Sequence, residues 1–371
     1  MKIELRKYQN DAVDAIEGSL AFGSENIILH AETSFGKSIT AAGICERLSD
    51  KKIAILVNIE PLIDQIAFFL EEMNIDYSIL KAGRDSEFNS NARVQLVMSQ
   101  TFFARAEDIK FRSDIIIQDE VHKEYNTSRT RTVMKTLAPN ARIGLSATPW
   151  DQYGFTLHNS EIISTITCHE LTEQGYLAPI KYFVPRWSEK VNYDGVKKSG
   201  AEYSMQSLDE VVGSHKHIQK TIKAMNEKDA KKKKTLVFCS TIEQCDRMEE
   251  ALIKAGYNAA AYHSNKSQSE NKRIMHSFKH NKPFLGSDAD LEGKTLFDTE
   301  PGSEKGKVIT CLLSVSKLTT GFSVDDIDLG VNGRPTKIKS LWHQIAGRLR
   351  RTSYSIDDLE KKHKEHIEYS K

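Results

Sequence analysis

Two short segments carry residue types suited to phosphate chemistry. The first is AETSFGKS at residues 31–38, directly after the apolar run IILH at 27–30 and at the opening of a helical stretch. A glycine-containing turn between a buried strand and a helix start aims backbone N–H groups and the helix's positive end at one point, where they cradle anionic phosphate. Ser34 and Gly36 belong to that cradle, Lys37 can reach β- and γ-phosphates, and the Ser38 hydroxyl can complete a Mg²⁺ shell. Ala31 stands where the usual pattern opens with Gly, which weakens the match at its start and leaves Gly36-Lys37-Ser38 intact. Alone, such a loop is also compatible with an ordinary turn before a surface helix.

The second segment is QDEVH at 118–122, preceded by three isoleucines, so that Asp119 and Glu120 end a central strand. In open α/β sheets that edge is where ligands bind. Asp119 suits a metal-holding role, and Glu120 suits a general base that polarises an attacking water. Carboxylates ending a strand are common in isolation; sharing an edge with the lysine loop gives these two their meaning. Near the other end of the chain, Arg348 and Arg351 lie three apart on one predicted helical face. Guanidinium groups so placed can stabilise charge developing on a transferred phosphoryl group, an effect worth roughly 10³–10⁵ in rate. A solvated basic helix or a nucleic-acid contact would also explain them, and Arg350, off that face, fits either.

The elements that must position these residues follow an alternating pattern. Apolar strand-length runs at 27–30, 53–57, 94–99, 115–120 and 142–147 alternate with helical stretches at 10–20, 38–50 and 62–73. This argues for a parallel sheet covered on both faces. After a mixed stretch, 187–207 reads as a polar connector and 208–226 as one helix ending in the charge run EKDAKKKK. A second alternating set has strands at 235–239, 259–262, 307–313 and 328–332, helices at 241–255 and 268–279, and a last helix at 338–349. Residues 281–306 fit neither period and read as an inserted excursion. The expected division is 1–183 as a first lobe, 184–207 as connector, 208–356 as a second lobe and 357–371 as a charged tail.

Composition narrows the class further. At about 150 residues per domain, 371 residues suggest two domains plus decoration. Hydrophobic residues at 39% supply real cores and exclude wholesale disorder. A formal charge of +1 does not exclude nucleic acid, since a groove needs local field rather than global excess. Cys45, Cys168, Cys239, Cys245 and Cys311 form no Cys-x-x-Cys pair, which argues against a zinc or disulfide framework and for a reducing compartment. Neither a secretory signal nor a membrane span is read from the sequence, so a cytoplasmic protein is expected, and the chain is expected to act as a monomer.

Gly36-Lys37-Ser38, then DEVH, then SATP at 146–149, then QIAGRLRR at 344–351 resemble the ordered motifs of superfamily 2 helicases and translocases over residues 3–351. LTEQGYLAPI at 171–180, LTTGFSVDDID at 318–328 and NGRPTKIKSLWHQIAGRLRR at 332–351 resemble the versions found in DEAH/DEVH-type members, the phage UvsW-like and XPB-like DNA helicases. The resemblance implies an α/β fold of two RecA-like lobes hydrolysing ATP with Mg²⁺. It implies that Gln9 reads the adenine edge with Arg6 nearby, and that Lys37, Ser38, Asp119 and Glu120 serve triphosphate, metal and water. His122 and Gln344 would couple the nucleotide site to the interlobe cleft, and Ser146 and Thr148 would relay its state. Gly321 and Asp325 would touch both strand and nucleotide, with Arg348 and Arg351 completing the site from the second lobe.

A motor also needs a track for its polymer. Candidates in the first lobe are Pro61, Gly83, Gln100 and Thr101; in the second they are Ser240, Thr241, His263, Thr319 and Thr320. Short hydroxyls and helix-start amides contact phosphate without choosing a base, although each alone is ordinarily just an N-cap. Forked, branched or junction DNA is the expected partner, bound mostly through sugar and phosphate, in fork regression or branch migration during replication, repair or recombination. The alternatives are a nucleic-acid-stimulated ATPase acting as clamp or remodeller, and an RNA helicase. A nucleotide kinase would leave QIAGRLRR without a purpose, and a restriction-type translocase would normally bring nuclease and methylation partners. Members of the group usually continue past the position of Arg351 with another strand and helices, so a trimmed second lobe or a fragment is expected.

Overall fold

The computed structural model describes residues 4–125, 127–150, 160–184, 196–199, 202–283, 307–315, 324, 326–336 and 339–350. The chain divides into two compact units, Met1–Leu177 and Ala178–Lys371.

The first unit runs α1 (Lys7–Ala21), β1 (Asn26–His30), α2 (Lys37–Arg47), β2 (Ile53–Val57), α3 (Glu60–Glu72), β3 (Tyr77–Leu80), β4 (Val94–Met98), α4 (Ser99–Ala104), β5 (Ile115–Asp119), α5 (Val121–Glu124), α6 (Ser128–Leu137), β6 (Ala141–Ser146), β7 (Glu161–Ile163) and α7 (Cys168–Glu173). Its strands pair in parallel in the order β3-β4-β2-β5-β6-β1-β7. Because side chains alternate along a strand, Ile53, Ile55, Ile115 and Ile117 face a core shared with α1, α2 and α3, while Ala54, Leu56 and Ile116 face Phe102, Val133 and Leu137 of α4 and α6. Burial at about 1.5–3 kcal/mol per isoleucine is enough to hold the acid-bearing end of β5 in place.

Sequence reading missed β3 and β7. Both are short sheet edges. β7 pairs with β1 through Ile27↔Glu161, and its Glu161 accepts hydrogen bonds from Ser19 and Ser24, so a polar residue sits at the sheet margin without cost to the core.

Helix α2 is fixed at its far end by Arg93, whose guanidinium donates to the carbonyls of Cys45 (3.0 Å), Leu48 (3.3 Å) and Lys51 (3.3 Å). These include the carbonyls a helix end leaves unpaired, and a cation there also suits the helix dipole. Arg93→Ala is expected to cost about 1.5–3 kcal/mol, measured as a lower urea midpoint with an unchanged slope.

The second unit runs β8 (Lys198–Ser199), β9 (Glu202–Tyr203), α8 (Met205–Val212), α9 (His215–Asn226), β10 (Thr235–Phe238), α10 (Ile242–Lys254), β11 (Ala259–Tyr262), α11 (Gln268–His280), β12 (Cys311–Ser314), β13 (Leu329–Asn332) and α12 (Lys339–Leu349). Its parallel sheet has the order β11-β12-β10-β13. Val237, Ala261 and Leu313 pack against α9 and α10; Leu236, Phe238 and Leu312 pack against Ile274 and Phe278 of α11 and Ile345 of α12. Two mostly parallel sheets, each flanked by helices, are the expected tandem RecA-like architecture.

One local expectation is corrected. The helix expected at 208–226 is two, broken at Gly213-Ser214, where Ser214 caps α9 by accepting from the His217 N–H. The lysine run 231–234 contains one buried member. Lys234 is buried, donates to both carboxylate oxygens of Asp326 (2.7 and 2.9 Å) and lies 5.0 Å from the Phe278 ring centre. Most of the predicted insertion, and residues 185–195 of the connector, lie outside the described residues.

Candidate active site

Loop 31–38 lies between β1 and α2. Its left-handed positions are Ser34 (φ 72°) and Gly36 (φ 93°), and Gly36 forms the N-cap of α2. Ala31 is not left-handed; it is fully buried and donates its N–H to Ser146 O at 2.9 Å. No glycine is therefore required at the loop's first residue, which accounts for the departure noted in the sequence. At Gly36 a Cβ would lie 2.5 Å from Gln9 Nε2, so this position needs glycine for space as well as for φ.

That contact shows what Gln9 does. Its amide donates to Phe35 O at 2.9 Å and accepts the Arg6 N–H at 2.9 Å, while the Tyr8 hydroxyl donates to the same Phe35 carbonyl at 3.0 Å. Gln9 is buried, and both ends of its amide grip the chain. Arg6 is exposed, with its guanidinium 4.6 Å from the ring centre of Tyr176.

Lys37 begins α2, and Asp119 and Glu120 follow from β5. The Lys37 ammonium donates to Glu120 Oε1 and lies 3.4 Å from Asp119 Oδ1. Burial pulls the lysine down, but attraction first to Asp119 and then to Glu120 outweighs it and holds the ammonium above its usual range. Burial also pushes the Asp119 carboxyl above its usual range, opposed by Lys37 and assisted by the Glu120 charge. Glu120 has a left-handed backbone (φ 48°, ψ 44°), an uncommon conformation for a side-chain-bearing residue and one that concentrates at functional sites.

The turn after Glu120 is seated on β6. His122 Nδ1 lies 2.8 Å from Ser146 Oγ, and that oxygen accepts the Thr148 N–H at 3.0 Å. DEVH and SATP are thus joined through one hydroxyl. Gly144 makes the approach possible, since a Cβ there would come within 2.7 Å of Val121 Cγ1. Trp150 sets its ring edge-on to His30, with centroids 5.1 Å apart.

A hard divalent cation fits the oxygen donors at this point. Asp119 Oδ1 is buried and faces the Lys37 ammonium at 3.4 Å, a charge-facing oxygen that a metal could share, and Ser38 lies in the first turn of α2. The Thr148 hydroxyl is buried without a hydrogen bond.

The remaining candidates are spread over both units. Pro61 lies in the first turn of α3, where its missing N–H costs nothing. Gly83 is left-handed, with open space where a Cβ would point. Thr101 Oγ1 accepts the Ala82 N–H at 3.1 Å, which ties that loop to the start of α4, and Gln100 beside it is exposed. In the second unit, Ser240 is buried with its N–H on Gln244 Oε1, and Thr241 caps α10 while donating to Asp209 at 2.7 Å. His263 is buried, with Nε2 2.8 Å from Asp246. These three are engaged within their own unit. Gln344 and Arg348, one turn apart on α12, are both buried. Gly321, Asp325, Arg351, Thr319 and Thr320 lie outside the described residues. Sequence reading overlooked Gly144 and Arg142, whose only sequence signal is their alternation with Ser146 along RIGLS.

Two family models match in chain order: the type III restriction enzyme res subunit over residues 2–151, and the helicase conserved C-terminal domain over 216–289. The EcoAI endonuclease subunit of an Escherichia coli type I restriction enzyme is 25% identical over 286 residues, covering 67% of this chain and 34% of that protein. The corresponding EcoKI subunit, from Escherichia coli strain K12, is 24% identical over 424 residues, covering 96% and 34%. The chain thus spans only 34% to 50% of the length of the curated relatives it matches. Among solved structures, the helicase domain of Pyrococcus furiosus Hef superposes with a TM-score of 0.51 at 15% identity, covering 94% of this chain and 93% of that one. The type ISP restriction-modification enzyme LlaBIII bound to DNA gives 0.63 at 14%, covering 96% and 27%. These two likenesses speak for the fold. The sequence matches point to restriction-enzyme helicases and not specifically to the UvsW-like and XPB-like branch. Taken with the lysine loop and DEVH at one sheet edge, the two models in chain order support a superfamily 2 helicase domain with the parts of an ATP-hydrolysing enzyme, related to the restriction-enzyme helicases.

Proposed function

We infer that the chain is an ATP-driven translocase on DNA, with forked or branched duplex as its preferred form in replication, repair or recombination. The observation that carries the motor reading is the meeting of Lys37, Asp119 and Glu120 at one sheet edge, linked through His122 and Ser146 to SATP. In this reading Lys37 and the loop amides hold the β- and γ-phosphates, and Glu120 takes a proton from the attacking water. Ser38 and Asp119 would hold Mg²⁺, which neutralises phosphate oxygens when bound. Arg6 and Tyr176 offer the adenine a flat cationic and aromatic surface, while Gln9 keeps the loop in shape. Arg348, with Arg351 and Gln344, is assigned the charge-stabilising role, and Gly321 and Asp325 a supporting one.

The DNA reading is supported by the restriction-type relatives and by the likeness of 318–328 and 332–351 to DNA-processing helicases. Contacts through Pro61, Gly83, Gln100, Thr101, Ser240, Thr241, His263, Thr319 and Thr320 would fall mainly on sugar and phosphate, giving little sequence preference and steep salt dependence. A second reading, the motor of a restriction complex acting on linear duplex, is favoured by the EcoAI and EcoKI relatives.

Steady-state ATP turnover with no polymer, single-stranded DNA, linear duplex, forked duplex and matched RNA tests both. Strongest stimulation by the fork supports the first reading, and equal stimulation by linear duplex the second. Stimulation by RNA alone overturns the DNA assignment. Glu120→Gln is expected to lower turnover by about 10²–10⁴-fold while nucleotide binding persists; turnover near the parent level would remove Glu120 from the chemistry.

A further inference from the structure

Against the DEVH turn lies a cation that the motif pattern does not contain. Arg142 lies in β6, two residues before Gly144 and four before Ser146, so all three project from the same face of the sheet. That face receives the DEVH segment. Ser146 meets His122, Gly144 leaves room for Val121, and Arg142 reaches to both sides of the turn. Its Nη1 donates to Tyr125 O at 3.0 Å, just past α5, and its Nη2 donates to the Gln118 side chain, just before Asp119. The guanidinium also lies 4.4 Å from the Tyr125 ring centre, and the Tyr125 hydroxyl lies 3.0 Å from Ser160 Oγ.

Arg142 is only 6% exposed, and among the described residues no carboxylate lies within ion-pair distance of it. Burying a cation without an acid is unfavourable, and an apolar residue would fill the same space more cheaply. Burial lowers the guanidinium only to about 10, so it remains charged at neutral pH. What it obtains in exchange is geometric. A planar fork can bind two acceptors in fixed directions at once, and these acceptors bracket Asp119, the left-handed Glu120 and His122. A carboxylate partner would have drawn the fork away from them.

We propose that Arg142 is a positioning residue of the ATP-hydrolysing centre, spanning residues 118–125 from below and holding Glu120 in its left-handed conformation. β6 then acts as a template for the turn, with Arg142, Gly144 and Ser146 setting its two ends and its middle. This rests on the ATPase reading for its effect on turnover, but not for its effect on the turn itself.

The test compares the parent chain with Arg142→Met and Arg142→Lys. Hydrogen exchange on peptides covering 118–125 reads the turn directly and needs no ATP. In Arg142→Met, exchange there is expected to quicken by roughly tenfold or more, with the peptides of β1, β2 and β4 unchanged. ATP turnover is expected to show a fall in kcat of about 10–100-fold, with KM for ATP within about threefold, because the phosphate loop is untouched while the base is misplaced. Arg142→Lys keeps the charge and stem but cannot bind both acceptors, so it should recover less than half of the lost kcat. If Arg142→Met fails to fold, the same comparison is made with Arg142→Lys against the parent. Unchanged exchange at 118–125 would overturn the proposal, as would a rise in KM with kcat preserved. A parent chain that turns over no ATP would defeat the ATPase reading, and the exchange result would still decide the role of Arg142.

Discussion

Lys37→Ala is expected to reduce ATP turnover at least about 10²–10³-fold, the scale seen when one preorganised donor is removed from a developing negative charge. The reason lies in the local charge balance. Lys37 contacts both Glu120 and Asp119, and each of the three side chains is largely shielded from solvent. Removing the ammonium takes away the cation that the two neighbouring carboxylates share, which favours protonation of one of them. A triphosphate entering that site would then meet negative charge instead of positive. Nucleotide affinity and kcat should therefore fall together, in contrast to Glu120→Gln, where binding persists. Phosphate release measured beside titration with a fluorescent nucleotide separates the two cases. Parent-like turnover in Lys37→Ala would exclude loop 31–38 as the phosphate site.

Arg348→Ala is expected to have an effect of comparable or greater size, a loss of about 10³–10⁵-fold in kcat. Arg348 is buried on α12 one turn beyond Gln344 and beside Ile345, which packs into the core of the second unit. A buried guanidinium on a rigid helix is suited to meeting charge that develops only during reaction, because little reorganisation is then needed. Arg348→Lys should recover little, since an ammonium cannot reproduce a planar fork. Single-turnover measurement isolates the chemical step from product release. Turnover within tenfold of the parent would remove Arg348 from the reaction.

The parts legible in the sequence were those written in local order. Ile115–Ile117 followed by two acids states both a buried strand and what its end carries, and Gly36-Lys37-Ser38 states a turn and a helix start. The edges were harder. β3 and β7 are short, and a sheet edge asks for less apolar burial, so their residues carry a weak pattern. Gly213-Ser214 punctuates a helical run whose apolar spacing continues on both sides, and periodicity alone reads through it. Lys234 sits in a run that looks solvated until its partner, Asp326, is brought 92 positions back to it. Arg142 shows the same limit for the site. Its meaning comes from strand pairing, which sets it across from Ile116 on the face under DEVH, and no window of sequence around it contains both. Ser240, Thr241 and His263 have the residue types of a polymer track, and each also makes a hydrogen bond within its own unit that sequence alone does not show.

The ordinary backbone of Ala31 has a practical bearing on how such chains are found. A signature that insists on glycine at the opening of the phosphate loop would pass over this protein, although its loop turns at a left-handed Gly36 and leads into α2 at Lys37. The tolerable letter is the first one. Searches that relax it, and hold firm on the glycine that abuts the glutamine of the amino-terminal helix, should recover further members that stricter patterns discard.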